Sequence, residues 1–457
     1  MTINNPHDSE SPKQLDALHG PILATFFRYF IPSLIGLLAM TSATLIDGFF
    51  IGNFVGVEAL AAVNLLIPIM TILFGVGIML ATGGAVRGGK YLGERNTVAA
   101  SSIFSKTLIA AALYGALMII LGLTFEASLF GALGASADLF PLMSEYYRIV
   151  LPFFIAQMLS VVLYYFIKLD GHPMLTAMAL VAGSLLNIVL DYWFIVAQDM
   201  ELYGAALATG LSQIFSVAVY ALYFFDKKRT LRFSFRQSRW SEVFQAAYNG
   251  ISEFIDSISA GVIAAIFNWM LIQRAGVDGV AAITVVNYLL LLGYMVFFAI
   301  GDSCQVMTSQ NFGAKNAHRM NQFMRLACWL IVIVSLICLT ILLSDSKTLI
   351  LLFIDDGNSE NAVALAQAFI RYLWPVFIFV GINILLSSYL TSVHLPFQSG
   401  VVALCRSFIL PAGLLIILYP LFDDYRFVLA IPAAEALTFL MAAGYFIRYR
   451  PKKMIAV

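Results

Sequence analysis

Two stretches of this chain carry nearly the same sequence: GVEALAA at residues 56–62 and GVDGVAA at residues 276–282. The match continues in register to GERN at 93–96 and GAKN at 313–316, at the same offset of 220 residues. A second set of residues recurs at an offset of 223: Arg148, Pro152 and Pro173 as Arg371, Pro375 and Pro396. We therefore interpret the chain as one unit of about 222 residues written twice, which in an apolar chain indicates a membrane transporter built from two related bundles.

The composition is that of a membrane protein. Hydrophobic residues make up 61% and charged residues 11% of the chain, whereas a soluble domain has about 25% charged residues. The formal net charge is zero, which argues against nucleic acid as a partner. The four cysteines fall in apolar runs and show no disulfide or metal-ligand spacing. We therefore expect the lipid bilayer to be the main surroundings of the chain.

Twelve apolar segments reach the length of about 20 residues that a membrane-spanning helix needs. They cover residues 27–51, 60–83, 107–130, 149–168, 174–197, 203–225, 246–272, 280–303, 326–345, 367–391, 398–420 and 428–447. Each half has six spans, an even number, so both halves have the same orientation. The predicted fold class is an all-α membrane protein with twelve transmembrane helices in two pseudo-symmetric six-helix bundles.

The basic residues orient the chain. With the N-terminus inside, 20 of the 26 Lys and Arg fall in inner segments and 5 in outer segments, while Arg406 lies within a span. Lys and Arg favour the cytosolic side, so we expect both termini in the cytosol. The predicted divisions are a cytosolic tail (1–24), an N-lobe (25–226), a basic cytosolic linker (227–243), a C-lobe (244–448) and a cytosolic C-terminal tail (449–457). The first tail is polar and is predicted to be disordered to about residue 20, and it has no signal-peptide pattern.

Ionisable residues inside the spans are candidates for function, because each costs about 2.5–3.5 kcal/mol at the centre of a membrane helix. Asp47 and Asp191 each follow the predicted inner end of their spans by 19 residues, which places both in the outer third of the bilayer. Asn187 precedes Asp191 by one helical turn, and Ala205 precedes Thr209 in the same way.

These five residues can present two carboxylates, an amide, a hydroxyl and a backbone carbonyl at one depth. Such hard oxygen ligands suit a proton or a small cation such as Na⁺. We therefore expect a cation-coupling site from Asp47, Asn187, Asp191 and Thr209, with Ala205. The first four of these residues are also the candidate Na⁺ ligands. The alternative is that the two aspartates are structural or hydrated.

The second half lacks this oxygen cluster. At an offset of 223, Asp191 corresponds to Leu414. The second half carries its own acids instead, at Glu253, Asp256 and Glu435. These acids could line a substrate cavity and attract cationic compounds, or they could pair with Arg406 as structural ions.

Several classes of function are excluded by missing motifs. The chain has no G-x-x-x-x-G-K-[ST] loop, no H-E-x-x-H and no C-x-x-C. We expect no enzymatic activity and no cofactor, and H⁺ or Na⁺ as the coupling ion that supplies the energy.

The chain resembles the multidrug and toxic compound extrusion (MATE) family, in its DinF-like branch. The resemblance covers the chain from about residue 25 and rests on the repeat and on three motifs: IDGFFIG at 46–52, NIVLD at 187–191 and GAALAT at 204–209. It implies a V-shaped fold with two lobes around a central cleft, and export of drugs or metabolites in exchange for H⁺ or Na⁺. It also implies that the side chains of Asp47, Asn187, Asp191 and Thr209 form the N-lobe cation site. The acids Glu253, Asp256 and Glu435 match no family cation site.

The sequence therefore predicts an antiporter for amphipathic or cationic organic compounds, as a monomer in the bacterial inner membrane. The second hypothesis is a flippase for lipids or lipid-linked saccharides, of the same superfamily. Such proteins tend to carry a cavity rich in Arg and Lys, and here Arg406 is the one deep base. A third class, a passive channel or a membrane scaffold, would show no gradient-dependent flux.

Overall fold

The computed structural model describes residues 16–353 and 360–456, and this part of the chain is helical, without a β-strand. Within these residues, ten helices are long and apolar enough to cross a membrane: Ile22–Val55, Val57–Gly93, Thr97–Thr124, Leu139–Leu169, Pro173–Ala197, Glu201–Phe225, Ile251–Gly313, Ala317–Ser344, Pro396–Leu421 and Tyr425–Arg448. A further pair, Glu360–Leu373 and Val376–Ser392, is bent by 55° and passes the same test together. Pro375 lies at that bend, where it has no N–H to continue the helical hydrogen bonds.

The helix Ile251–Gly313 is in fact two spans. Its 63 residues would extend about 95 Å, whereas one crossing of the hydrocarbon core needs about 30 Å. Gly276 has non-helical torsion angles within it, with φ 61° and ψ −151°. The break at Gly276 divides it into α7, which begins at Ile251, and α8, which ends at Gly313. With the bent pair counted as one span, α10, the described residues contain twelve spans, numbered α1 to α12 in chain order. The prediction of an all-α, twelve-span protein is confirmed.

Both copies of the sequence repeat begin at a glycine with positive φ. Gly56, between α1 and α2, has φ 132°, and Gly276, between α7 and α8, has φ 61°. A side chain disfavours this region of backbone space. The repeated glycines therefore mark equivalent breaks between consecutive spans.

Both copies also end in the same helix–turn–helix junction. Arg95 and Lys315 adopt left-handed conformations, with φ 60° and 55°. The next residues cap the following helices: Asn96 Oδ1 accepts from the Ala99 N–H at 3.0 Å, and Asn316 Oδ1 accepts from the Arg319 N–H at 3.1 Å. Because Asn96 caps the helix, α3 begins at Thr97, ten residues before the apolar segment from which this span was predicted.

The contacts divide the chain into two compact units. One contains the chain up to Tyr248 together with Ser309–Arg319, and the other contains Asn249–Thr308 and the chain from Met320 onward. The end of α8 and the start of α9 therefore belong to the first unit. The predicted tails, lobes and linker follow the order of the chain and remain predictions.

Within the first unit, the ends of α2 and α8 make a reciprocal backbone contact. A Cβ atom on Gly93 would lie 2.0 Å from the carbonyl oxygen of Gln310, and one on Gly313 would lie 2.0 Å from that of Lys90. Lys90 and Gln310 are themselves 220 residues apart. The two copies of the repeat therefore meet at equivalent atoms, at a distance that only glycine permits.

A short helix, Asp16–His19, precedes α1 and is held by the same region of the first unit. The Ala17 carbonyl accepts from Asn311 Nδ2 at 2.9 Å and from Arg319 Nε at 3.2 Å. Arg319 Nη2 also donates to the Gly20 carbonyl at 2.7 Å. Disorder was predicted for residues 1 to about 20 of the tail, and this prediction is wrong for Asp16–His19, which form a helix held by these hydrogen bonds. The first fifteen residues lie outside the described part of the chain.

Candidate cation-coupling site

Helices α1, α5 and α6 pack together in the first unit. Glycines allow the close approach: a Cβ on Gly36 of α1 would lie 2.7 Å from Leu180 Cδ1 of α5. A Cβ on Gly183 of α5 would lie 2.0 Å from Ser216 Oγ of α6. Small residues at helix crossings are the usual way for membrane helices to pack closely. The three helices that carry the predicted site residues are therefore neighbours.

The two aspartates lie near each other in this unit. Asp191 is fully buried, and neither of its carboxylate oxygens has a hydrogen-bond partner among the described residues. The same holds for Oδ1 of Asp47. The charge of Asp47 acts on Asp191. Two carboxylates with unsatisfied oxygens are unfavourable in a low dielectric when both are ionised, so the arrangement favours binding of a proton or a cation.

A π-helical turn follows each aspartate. Asp47 lies one turn before the segment Ile51–Val55, and Asp191 lies directly before Tyr192–Ala197. The two π-helical segments contact each other. Such turns interrupt the regular hydrogen-bond ladder and are frequent at functional sites. The helices can therefore adjust their geometry next to the carboxylates.

Tyr146 of α4 joins the site and was not predicted from the sequence. It is buried, its hydroxyl lies within hydrogen-bond range of the Thr209 side chain, and it is in electrostatic reach of Asp47 and Asp191. A comparison of the two halves of the sequence could have indicated Tyr146 as a site residue. At an offset of 223, Tyr146 corresponds to Phe369, so its hydroxyl is missing from the second half, as is the carboxylate of Asp191.

The structure places the five predicted residues as follows. Asp47, Asp191 and Thr209 all interact with Tyr146. Asn187 and Ala205 are buried on α5 and α6, each one turn before its neighbour in the site. The described residues contain no group of three or more His, Cys, Asp or Glu side chains that could hold a metal ion. A bound Na⁺ would thus need the neutral oxygens of this site besides its two carboxylates.

In the second unit, Asp256 forms an ion pair with Arg406. Arg406 Nη2 donates to Asp256 Oδ2 at 2.7 Å, and the Ser407 hydroxyl donates to the other carboxylate oxygen. Arg406 lies in a third π-helical turn, Cys405–Ile409 of α11. The sequence left open whether the acids line a cavity or pair with this arginine, and Asp256 pairs with it.

The other two acids differ in their partners. Glu435 is buried and accepts a hydrogen bond from Asn383 Nδ2 at 2.6 Å through Oε2. Glu253 interacts electrostatically with Asp256 and Arg406. The role of the three acids in a substrate cavity remains a prediction.

The two residues of this ion pair correspond to two glycines in the first half of the chain. At the offsets of 220 and 223, Asp256 corresponds to Gly36 and Arg406 to Gly183. In the first unit these glycines bring α1, α5 and α6 into contact. The two halves therefore use the same helix positions for different purposes.

The family model MatE matches the chain twice, at residues 32–193 and 254–416. The second match begins 222 residues after the first, which agrees with the internal repeat. The chain belongs to the MATE family. The resemblance to this family drawn from the sequence is therefore confirmed.

Relatives of this MATE-family chain include two staphylococcal proteins named multidrug export protein MepA. That of Staphylococcus aureus strain MSSA476 is 22% identical over 430 residues, 92% of this chain and 93% of that protein. That of Staphylococcus saprophyticus is 23% identical over 371 residues, 79% of this chain and 80% of that protein. A solved structure described as the outward-facing conformation of a multidrug resistance MATE family transporter superposes with a TM-score of 0.90 at 21% identity, over 98% of this chain and 100% of that one. This structural likeness shows the MATE fold.

The ion pair of this MATE chain yields a stability prediction. We expect Arg406→Met to lower the free energy of unfolding by about 3–5 kcal/mol, because it leaves the Asp256 carboxylate without its cation. The double variant Asp256→Leu and Arg406→Met should recover part of the loss, since Asp256 then carries no unpaired charge, while Glu253 and Glu435 still lose the nearby cation. Unfolding in detergent, followed by circular dichroism, measures both effects. Removal of the exposed Arg448 is the control, and an equal loss there would contradict the structural role of the pair.

Proposed function

We propose that this chain is a secondary active antiporter that exports amphipathic or cationic organic compounds, including drugs, in exchange for H⁺ or Na⁺. Membership of the MATE family and similarity to multidrug export proteins support export of small molecules. The excess of Lys and Arg in the segments on one side supports cytosolic termini. The bacterial relatives support a bacterial membrane, and we propose the inner membrane. We expect a monomer.

One observation carries the coupling mechanism: two mutually interacting aspartates whose buried oxygens have no hydrogen-bond partner in the described structure. A proton or Na⁺ bound between Asp47 and Asp191 removes their mutual repulsion and satisfies these oxygens. Release of that ion leaves two negative charges in a low dielectric, which favours a cationic substrate or a different packing of α1 against α5. Ion and substrate therefore compete, and this competition couples their fluxes.

The coupling residues have distinct roles in this proposal. Asp47 and Asp191 bind and release the ion. The side chains of Thr209 and Tyr146 form a hydrogen bond next to these carboxylates. Asn187 and the carbonyl of Ala205 add neutral oxygens when Na⁺ is the ion. The π-helical segments after each aspartate let the outer ends of α1 and α5 move when the charge changes. Moving one charge along the membrane potential yields about 2.3 kcal/mol per 100 mV.

The cluster of acids around Arg406 in the second unit supports cationic substrates over phosphate-bearing ones. Glu253, Asp256 and Glu435 interact with the single base Arg406. Three acids against one base give a negative field when they are ionised, which attracts organic cations. The same field repels the phosphates of lipid-linked saccharides and disfavours the flippase alternative.

Dye uptake into inverted membrane vesicles tests the proposal, with pH and Na⁺ gradients imposed separately. Export into the vesicle lumen should require one of the two gradients and should fall to the level of vesicles without the protein when an ionophore collapses it. The gradient that sustains uptake identifies the coupling ion. Uptake that ignores both gradients would rule out antiport. Translocation of labelled lipid by the reconstituted protein, without dye transport, would favour the flippase.

A further inference from the structure

The segment that joins α6 to α7, residues 226–249, is fixed to the first unit. Backbone N–H groups of Arg232 and Ser234 donate to the hydroxyls of Ser101 and Ser105 of α3, at 3.1 and 2.9 Å. The buried Lys106 donates to the carbonyl of Ser238. Hydroxyls and an ammonium of α3 thus hold this segment between residues 232 and 238. We refer to residues 226–249 as the connecting segment.

The connecting segment ends in a ten-residue helix, Trp240–Asn249, with an exposed aromatic stripe. Its inner face consists of the buried residues Val243, Ala246 and Ala247. Its outer face presents Trp240, Phe244 and Tyr248, which are 47%, 75% and 53% exposed. The helix is about 15 Å long, too short to cross a bilayer, and α7 begins at Ile251. A helix that adjoins a span and exposes aromatic rings belongs at the boundary of the membrane.

The connecting segment is also strongly basic. Its cations are Lys227, Lys228, Arg229, Arg232, Arg236 and Arg239. Its two acids, Asp226 and Glu242, both have partners within the protein. Asp226 accepts from the Lys228 N–H at 2.8 Å, and Glu242 accepts from the Arg239 N–H at 3.0 Å and from the Tyr91 hydroxyl. The side chains of Arg232, Arg236 and Arg239 are exposed. Cations beside exposed aromatic rings are complementary to a leaflet with anionic lipids.

A cavity of about 750 Å³ opens at the start of the connecting segment, where α1 and α5 begin. Its basic lining residues are Arg28, His172 and Lys228. Its apolar lining includes Phe27 and the exposed Ile31 of α1.

Two acids also line this cavity, and the protein itself engages them. Asp170 accepts from the Tyr223 hydroxyl at 2.6 Å and from the Thr230 N–H at 2.8 Å. Asp226 lies 3.1 Å from His172 Nε2. The cavity therefore holds cationic groups beside two carboxylates that already accept hydrogen bonds within the protein, and it has an apolar wall. Its cationic groups and this wall are complementary to the phosphate of a phospholipid and to its first acyl carbons.

We propose that the connecting segment and this cavity bind anionic phospholipids of the adjacent leaflet. The headgroup phosphate lies in the cavity near Arg28 and Lys228, and the rings of Trp240, Phe244 and Tyr248 insert between neighbouring lipids. The exposed arginines hold further anionic headgroups. Lipid binding does not depend on the proposed antiport, so the two can fail separately.

Native mass spectrometry of the full-length protein in detergent tests this proposal, with phosphatidylglycerol and phosphatidylcholine of equal acyl chains as probes. We expect phosphatidylglycerol to bind at least about tenfold more tightly, since each basic residue near an anionic surface contributes favourably. The triple variant Arg232→Gln, Arg236→Gln and Arg239→Gln should lose most of this preference, and Arg28→Gln should lose the tightest-bound lipid. Size-exclusion profiles identical to that of the wild type establish that the variants are folded.

A matched control removes three basic residues elsewhere: Arg450→Gln, Lys452→Gln and Lys453→Gln, all of which are exposed. This variant should keep the preference. An equal loss in both triple variants, or equal affinity for the two lipids, would overturn the proposal. Displacement of phosphatidylglycerol by glycerol 3-phosphate would also overturn it, because the site would then recognise a soluble anion.

Discussion

Replacement of Asp47 with asparagine should abolish gradient-dependent efflux while the protein still inserts and folds. Asparagine keeps the size of the side chain but can neither release a proton nor carry the charge that competes for the substrate. We expect dye efflux at the level of cells without the protein, and the same for Asp191→Asn, because the two carboxylates act as a pair. Efflux assays on whole cells, with protein amounts measured by immunoblot, check both variants.

Two further variants make this expectation specific. Asp138→Asn removes an exposed carboxylate in the same half and should leave efflux unchanged. Tyr146→Phe should reduce efflux without abolishing it, because it removes the hydroxyl beside Thr209 but keeps both aspartates. Normal drug resistance with Asp47→Asn would remove Asp47 from the coupling mechanism, whatever the result with Asp191.

The second large effect is expected at the reciprocal contact between α2 and α8. Gly93→Ala places a Cβ 2.0 Å from the Gln310 carbonyl oxygen, and Gly313→Ala does the same to that of Lys90. Overpacking usually costs about 1–3 kcal/mol, and both substitutions should lie at the upper end because the opposing atoms are backbone. We expect a clear fall in the unfolding temperature of the purified protein for each variant.

Gly444→Ala in α12 is the control, because a Cβ there meets no atom within 4 Å. It should leave the unfolding temperature unchanged or raise it, as alanine favours a helix over glycine. The double variant Gly93→Ala and Gly313→Ala should lose less than the sum of the single losses, since one separation of the helices relieves both clashes. Additive losses would show that the two glycines act independently.

The twelve spans and the two-fold repeat were predictable because apolar length and spacing are local properties of the sequence. The sequence repeat at residues 93–96 and 313–316 was apparent, but the structure that these residues form was not predicted. The close approach of Gly93 to Gln310 depends on residues more than 200 positions apart, which no local pattern reveals. The start of α3 at Thr97 depends on one capping side chain, that of Asn96, rather than on hydrophobicity.

The candidate site divides in a similar way. Asp47 and Asp191 stand out in the sequence because charge inside a membrane span is costly. Tyr146 does not, since tyrosine is common in membrane proteins and its place beside Thr209 depends on the packing of α4 against α6. The choice of Arg406 as the partner of Asp256 was open for the same reason, because it requires the positions of α7 and α11 in space.

The reciprocity of the glycine contact bears on the ancestry of the chain. A polypeptide that comprised only one copy of the repeat could form this contact twice with an identical molecule, as in an isologous homodimer. Fusion of two such genes frees each copy to mutate alone. One descendant could then keep the carboxylate of Asp191, and the other could replace it with Leu414, while the symmetric junction preserved a trace of the original pairing.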